Sequence, residues 1–223
     1  MKNIKVVAFD CDGVLFDTKK ANMAYYNQVL NHFDMSAMTK EQFDFIQMHT
    51  VDQSLAYLFE DKATLEAAQT YRKNISYIPF LKFMEIEPYL KPLLKKLRPD
   101  FKTAIATNRT DTMDRVLIEH DLKKYFDLVV TASDVKRPKP DPEPLVKIIE
   151  YFNLKPQHMI YVGDSKLDES AAKSAGAVMV AYKNRLLSAD FHIESLKELE
   201  GILSIGNMKN GHKDRMLNQV SHP

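Results

Sequence analysis

A single cysteine, Cys11, stands in the chain, so no intramolecular disulfide can form. This is the cysteine usage of a reducing compartment. No apolar run approaches the ~20 residues needed to span a bilayer, so no membrane partner is expected. The start of the chain offers no signal-peptide core, because the apolar stretch after Met1-Lys2-Asn3 is short and ends at Asp10. Neither charge is in excess: 31 basic and 30 acidic side chains give a formal net charge of +1. That balance argues against a polyanion-binding surface over the whole protein, and no nucleic-acid-binding motif is present. These absences lead to the expectation of a cytoplasmic protein. Glycine is missing from residues 18–87, where the only proline is Pro79.

The 223 residues are 45% apolar, enough for a sizeable core in one domain carrying an insertion. Ile4 to Phe9 (IKVVAF) is a short, nearly continuous apolar run, the pattern of a strand buried on both faces of a parallel sheet. In the glycine-free stretch apolar residues recur at helical spacing: Met23, Tyr26, Leu30 and Phe33, then Phe43 and Ile46, then Leu55, Leu58 and Phe59. This predicts a small all-α unit over 17–87. A helix over Tyr89–Leu97 returns the chain to the sheet. Strands are then expected at Lys102–Thr107, Asp127–Ala132, Met159–Val162 and Ala177–Ala181. Helices are expected at Thr110–His120, Pro142–Phe152 with Asp141 as N-cap, and Asp168–Ala175 with Gly176 as C-cap. The fold class read from this alternation is α/β: an open, parallel, Rossmann-like sheet flanked by helices, formed by 1–16 and 88–205. The polar, aperiodic residues 206–223 are expected to be a disordered tail.

Three of the predicted strands end in polar residues that a doubly wound sheet brings to one crevice. They are Asp10-Cys11-Asp12-Gly13, Thr107-Asn108 and Gly163-Asp164-Ser165, with Asp168 following and Lys139-Pro140 in between. Clustered carboxylates repel unless a hard cation sits among them, and Mg²⁺ takes oxygen ligands with waters and phosphate oxygens. Asp10 and Asp164 are natural ligands for it. Lys139 neutralises a phosphate as a point charge, and Thr107 with the backbone N–H groups after it binds further oxygens. A carboxylate is also a nucleophile in phosphoryl transfer. Asp12, two residues from Asp10, is placed to act as acid and then as base.

The set Asp10-x-Asp12-Gly13-Val14, Thr107, Lys139 and Gly163-Asp164-x3-Asp168 resembles the four-motif signature of the haloacid dehalogenase-like superfamily. The resemblance covers about residues 4–200. An insertion between the first two motifs is similar to the helical-cap branch containing phosphoglycolate phosphatase-like enzymes and β-phosphoglucomutase. It implies that Asp10 attacks phosphorus and binds Mg²⁺, and that Asp12 handles the proton and lends a backbone carbonyl to the metal. It further implies that Thr107, Asn108 and Lys139 hold phosphate, and that Asp164 ligates Mg²⁺ with Asp168 in or just behind its shell. Phe16 and Asp17 begin the segment leading into the cap. The dehalogenases lack an aspartate at the place of Asp12, which argues against carbon–halogen cleavage.

Plainer roles compete at each position. Asp10 and Asp164 suit strand-end turns, and Asp168 suits a helix N-terminus through the macrodipole. Arg109 reads equally as a contact to the phosphate or an anionic substrate, or as an exposed residue at a helix start. His49 and Thr50, near a helix junction of the cap, read equally as substrate contacts or as solvated surface. The expected partner is a small phosphorylated metabolite, such as phosphoglycolate or a sugar phosphate. The expected assembly is a monomer or homodimer. Hydrolysis, intramolecular phosphoryl transfer as in a mutase, and a binding protein without turnover remain distinct outcomes of the same residue set.

Overall fold

The strand-like runs become strands where both faces are covered. In the computed structural model residues 3–46, 51–110 and 112–205 are described. The elements run β1 (Val6–Phe9), β2 (Phe16–Asp17), α1 (Lys19–His32), α2 (Lys40–Ile46), α3 (Val51–Leu58), α4 (Lys62–Asn74), β3 (Glu85–Ile86), α5 (Leu90–Leu97) and β4 (Lys102–Ala106). They continue α6 (Met113–Glu119), β5 (Leu128–Val130), α7 (Glu143–Tyr151), β6 (Met159–Gly163), α8 (Lys166–Ala175), β7 (Val178–Tyr182), β8 (Phe191–Ile193) and α9 (Leu199–Leu203). His49, Thr50 and the tail 206–223 lie outside the described residues.

Six strands form one sheet in the order β5-β4-β1-β6-β7-β8, and every neighbouring pair is parallel. The chain winds outward from β1 through β4 and β5, then crosses back to β6 and winds the other way. β1 and β6 therefore flank the point where the winding reverses, where such sheets bind ligands beyond their carboxyl ends. The register sets the level of the site. Phe9 pairs with both Ile105 and Val162, so the residues following these strands emerge side by side.

One face of the sheet packs Val6, Ala8, Ala104 and Tyr161 against Leu145 and Ile148 of α7 and Ala171 and Ala172 of α8. Val7, Phe9, Ile105, Ile160 and Val162 alternate onto the other face and are also fully buried, as are Leu90, Leu93, Leu94 and Leu97 of α5. This double cover explains why β1 reads as a continuous apolar run rather than an alternating one.

The chain divides into two compact units: one runs to Phe16 and resumes at Ile86, and the other is Asp17–Glu85. The second unit is helical. Its core joins Tyr26, Val29 and Leu30 of α1 to Ile46, Leu55, Leu58, Phe59 and Ala68. Asp61 caps α4 by accepting the Thr64 N–H at 2.8 Å, and His32 stacks on Tyr71 with ring centroids 3.6 Å apart. Where the first unit resumes, Glu87 fixes the chain by hydrogen bonds. Its N–H donates to Leu15 O at 2.9 Å, and its carboxylate accepts the Tyr89 N–H at 2.7 Å.

Several boundaries differ from expectation. The helix expected from Thr110 begins only at Met113, and Thr112 just before it accepts from Arg109 at 3.2 Å. The N-cap position of α7 falls on Pro142, not Asp141. Asp141 still accepts the Glu143 N–H at 3.0 Å, one step outside the cap position. The edge strand β8 and the ribbon β2–β3 have too few residues to produce a periodic signal.

Gly176 ends α8 in the left-handed region at φ 72°. A Cβ there would meet Pro156 Cβ at 3.3 Å. Gly176→Ala should cost about 1–2 kcal/mol of stability, read as a lower urea midpoint at unchanged slope.

Candidate active site

The site begins where β1 ends. Asp10 N–H still bonds Val162 O at 2.9 Å, and the chain then folds back: Leu15 and Phe16 N–H both donate to Cys11 O, at 3.0 and 3.1 Å. Gly13 makes this turn possible. Its φ is 85°, and a Cβ on it would lie 2.0 Å from Asp164 Oδ2. A glycine is thus required both by backbone conformation and by the close approach of a carboxylate. Gly163 at the end of β6 has a similar constraint, since a Cβ there would lie 2.4 Å from Asp168 Cβ.

Lys139 is the centre of the cluster and is only 5% exposed. Its ammonium donates to Asp10 Oδ1 at 2.6 Å, Asp168 Oδ1 at 2.7 Å and Tyr161 OH at 2.9 Å. These bonds use all three of its protons. Burial pulls its pKa down, but the Asp10 and Asp168 carboxylates more than offset this and hold it above the ordinary lysine range. Burial pushes Asp10 well up, Lys139 opposes that, and the nearby Asp168, Asp164 and Asp12 charges add to the rise. Asp168 goes the other way: burial would raise it, but Lys139 and the Ser165 and Tyr161 hydroxyls hold it below the usual carboxylate value.

Asp168 is fully buried. Its Oδ1 also accepts from Tyr161 OH at 2.8 Å. Its Oδ2 accepts from Asp164 N at 3.2 Å, Ser165 N at 3.1 Å and Ser165 Oγ at 2.6 Å. Ser165 and Asp168 form the reciprocal capping box that starts α8. One residue therefore caps a helix, orients the loop bearing Asp164 and anchors Lys139.

The loop carrying Lys139 is pinned by Asn108. The Asn108 amide donates to Lys139 O at 2.8 Å and accepts Lys139 N–H at 3.0 Å. Thr107 is 1% exposed, and its Oγ1 accepts the Arg109 N–H at 3.1 Å. Arg109, read from sequence as equally consistent with an exposed helix-start residue, is 9% exposed and grips Asp12. Its Nε and Nη2 donate to the two Asp12 oxygens at 2.8 and 2.6 Å, and its Nη1 donates to Thr112 Oγ1 at 3.2 Å.

One oxygen from each of Asp10, Asp164 and Asp168 lies within 4.8 Å of the others. Burial, with the Asp168 and Asp12 charges, raises Asp164 to about 7 although Lys139 opposes it. So crowded a set of carboxylates fits a divalent cation by charge and by donor type.

The model of the haloacid dehalogenase-like hydrolases matches residues 7–182, most of the chain. The chain belongs to this family. The hydrolase is 29% identical over 211 residues to a pyrophosphatase PpaX of Bacillus cereus (strain B4264), covering 90% of this chain and 97% of that protein. It is 30% identical over 179 residues to a phosphorylated carbohydrates phosphatase of Thermotoga maritima, covering 78% and 82%. A crystal structure of a HAD-superfamily hydrolase, subfamily IA, from Geobacter sulfurreducens matches its fold with a TM-score of 0.81 at 34% identity, covering 90% and 96% of the two chains. No described helix of the hydrolase is long and apolar enough to cross a membrane.

The fold thus gathers Asp10, Asp164, Asp168 and Lys139 into one cluster, with Asn108 behind it and Asp12 held by Arg109. His49 and Thr50 are beyond the described residues. Sequence reasoning passed over Tyr161, although a hydroxyl inside the apolar strand Met159–Gly163 was a readable signal. It also passed over Ser165, although Ser165-x-x-Asp168 has capping-box spacing.

Tyr161→Phe removes an acceptor of Lys139 and leaves a buried donor unmatched. It should cost about 1–3 kcal/mol in urea unfolding. Because the folded state raises Asp164 from 3.8 to about 7, it binds that proton more tightly than the unfolded chain does. The resulting stabilisation is complete below the unfolded value and is lost as pH rises through the folded one. With chelator present, Asp164→Asn should flatten this part of the decline in stability between about pH 4 and pH 8, measured by urea midpoints.

Proposed function

We propose that the hydrolase is a magnesium-dependent phosphatase of small phosphomonoesters, working through an aspartyl-phosphate on Asp10. One observation carries the reading: Lys139 pins Asp10 Oδ1, while the other oxygen makes no hydrogen bond among the described residues. A buried carboxylate oriented by a cation on one side and open on the other is arranged as a nucleophile. Asp12 follows two residues later and is 37% exposed on its side chain. It is the group available to protonate the leaving oxygen and then to take a proton from water.

Each supporting residue has a defined share. Asp10, Asp164 and the backbone carbonyl of Asp12 would hold magnesium, with Asp168 behind them because both its oxygens already accept hydrogen bonds. When bound, magnesium supplies a hard positive charge to the carboxylates and phosphoryl oxygens. Thr107 Oγ and the main-chain N–H groups after it form the phosphate seat. Asn108 contributes there through its backbone, since its amide is committed to Lys139. Lys139 orients Asp10 and offsets the incoming charge.

The relatives named a pyrophosphatase and a phosphorylated carbohydrates phosphatase support phosphate chemistry on a small substrate. Phosphoglycolate- or sugar-phosphate-like compounds suit it, selected by the helical unit and including His49 and Thr50. The reading carries with it a cytoplasmic location, a monomer or homodimer, and no nucleic-acid or membrane partner.

The test is phosphate release from a panel of phosphorylated metabolites. Wild type should release phosphate only when Mg²⁺ is supplied, and Asp10→Asn should release none. Release that persists in Asp10→Asn, or after removal of divalent cations, would refute the mechanism.

A further inference from the structure

We propose that Arg109 is a substrate-binding residue that selects phosphorylated compounds whose leaving group carries a second negative charge. The inference rests on the phosphatase reading above and extends it to the substrate's departing half. Asp12 is the residue assigned to the leaving-group oxygen, so whatever it meets lies within one further hydrogen bond of the guanidinium that grips it. Arg109 Nε and Nη2 occupy the two Asp12 oxygens at 2.8 and 2.6 Å. The guanidinium side chain is 9% exposed, whereas Asp12 is 37% exposed. The cation is therefore held firm beside a carboxylate that solvent and substrate can reach.

Three features hold the guanidinium in the pose this role needs. The guanidinium plane is fixed from behind by Thr112 Oγ1 at 3.2 Å, and Thr112 is itself only 7% exposed. Its backbone is fixed by the bond from Arg109 N–H to Thr107 Oγ1 at 3.1 Å, so the side chain branches from the proposed phosphate seat itself. And the bidentate fork presents two parallel donors, the geometry that suits a carboxylate or a phosphoryl group. A substrate anion takes over the Nη2 donor while Asp12 keeps Nε. Arg109 then spans the acid/base residue and the leaving group's second charge. A neutral leaving group offers nothing for that donor, and the clamp on Asp12 stays closed.

The experiment compares kcat/KM for phosphoglycolate and inorganic pyrophosphate, whose leaving groups are anionic, with that for glycerol 2-phosphate, whose leaving group is neutral. Wild type, Arg109→Gln and Arg109→Lys are assayed with Mg²⁺. Wild type should favour at least one of the anionic compounds. In Arg109→Gln that preference should shrink by about ten- to a hundredfold, the range of a lost charged hydrogen bond. Arg109→Lys should keep part of it, because the charge remains but the fork is lost. If Arg109→Gln lowers all three substrates by the same factor, Arg109 only positions Asp12 and the inference is overturned. If wild type shows no preference for either anionic compound, the inference is likewise overturned while the phosphatase reading stands. If wild type hydrolyses none of the compounds here or in the wider panel, the phosphatase reading fails and this inference fails with it.

Discussion

A buried ammonium holds the site together. Lys139 lies among Asp10, Asp168 and Tyr161 with all its protons used. Without it, Asp10 and Asp168 would be two buried carboxylates facing each other with no cation between them, an arrangement that burial and mutual repulsion both disfavour. The pair is costly to bury and costly to break, because loss of one partner leaves the other uncompensated. It is therefore better understood as a device of position than as a source of stability. The ammonium ties the end of β1 to the start of α8 through a loop that belongs to neither.

Around that centre the structure spends its polar side chains on orientation. Asn108 fixes the Lys139 loop through its backbone. Tyr161 shares its hydroxyl between Lys139 and Asp168. Asp168 completes the capping box of α8 with Ser165 and accepts from the loop that bears Asp164. Among the described residues, the second oxygen of Asp10 accepts no hydrogen bond. Such a supporting shell is what holds a reacting group within the narrow tolerance that chemistry needs. The two glycines serve the same end by absence. Gly13 and Gly163 leave the space that the Asp164 and Asp168 side chains occupy.

Much of the fold was legible because its signals are local and repeated. A parallel sheet covered on both faces produces short apolar runs, and β1, β4 and β6 sit where those runs are. Elements with few residues left no such trace, and β2, β3 and β8 went unread. The site was legible as a set of residue types at strand ends, since any open α/β sheet delivers its strand ends to one edge. The division of labour within that set was not. Arg109 had two equal readings in sequence, an anion contact and an exposed helix start; the fold buries it against Asp12, a pairing that neither reading contained.

The α/β alternation, the helical insertion and the set of aspartates, threonine and lysine at the strand ends could be read from the chain alone, because periodicity and strand-end residue type are written along it. Only the tertiary structure decided which of those side chains are free and which are spent. That choice depends on distances of a few ångströms between residues as far apart in sequence as Asp10 and Lys139 or Asp12 and Arg109. The crossing from one half of the sheet to the other sets such distances, and nothing local in the chain encodes them.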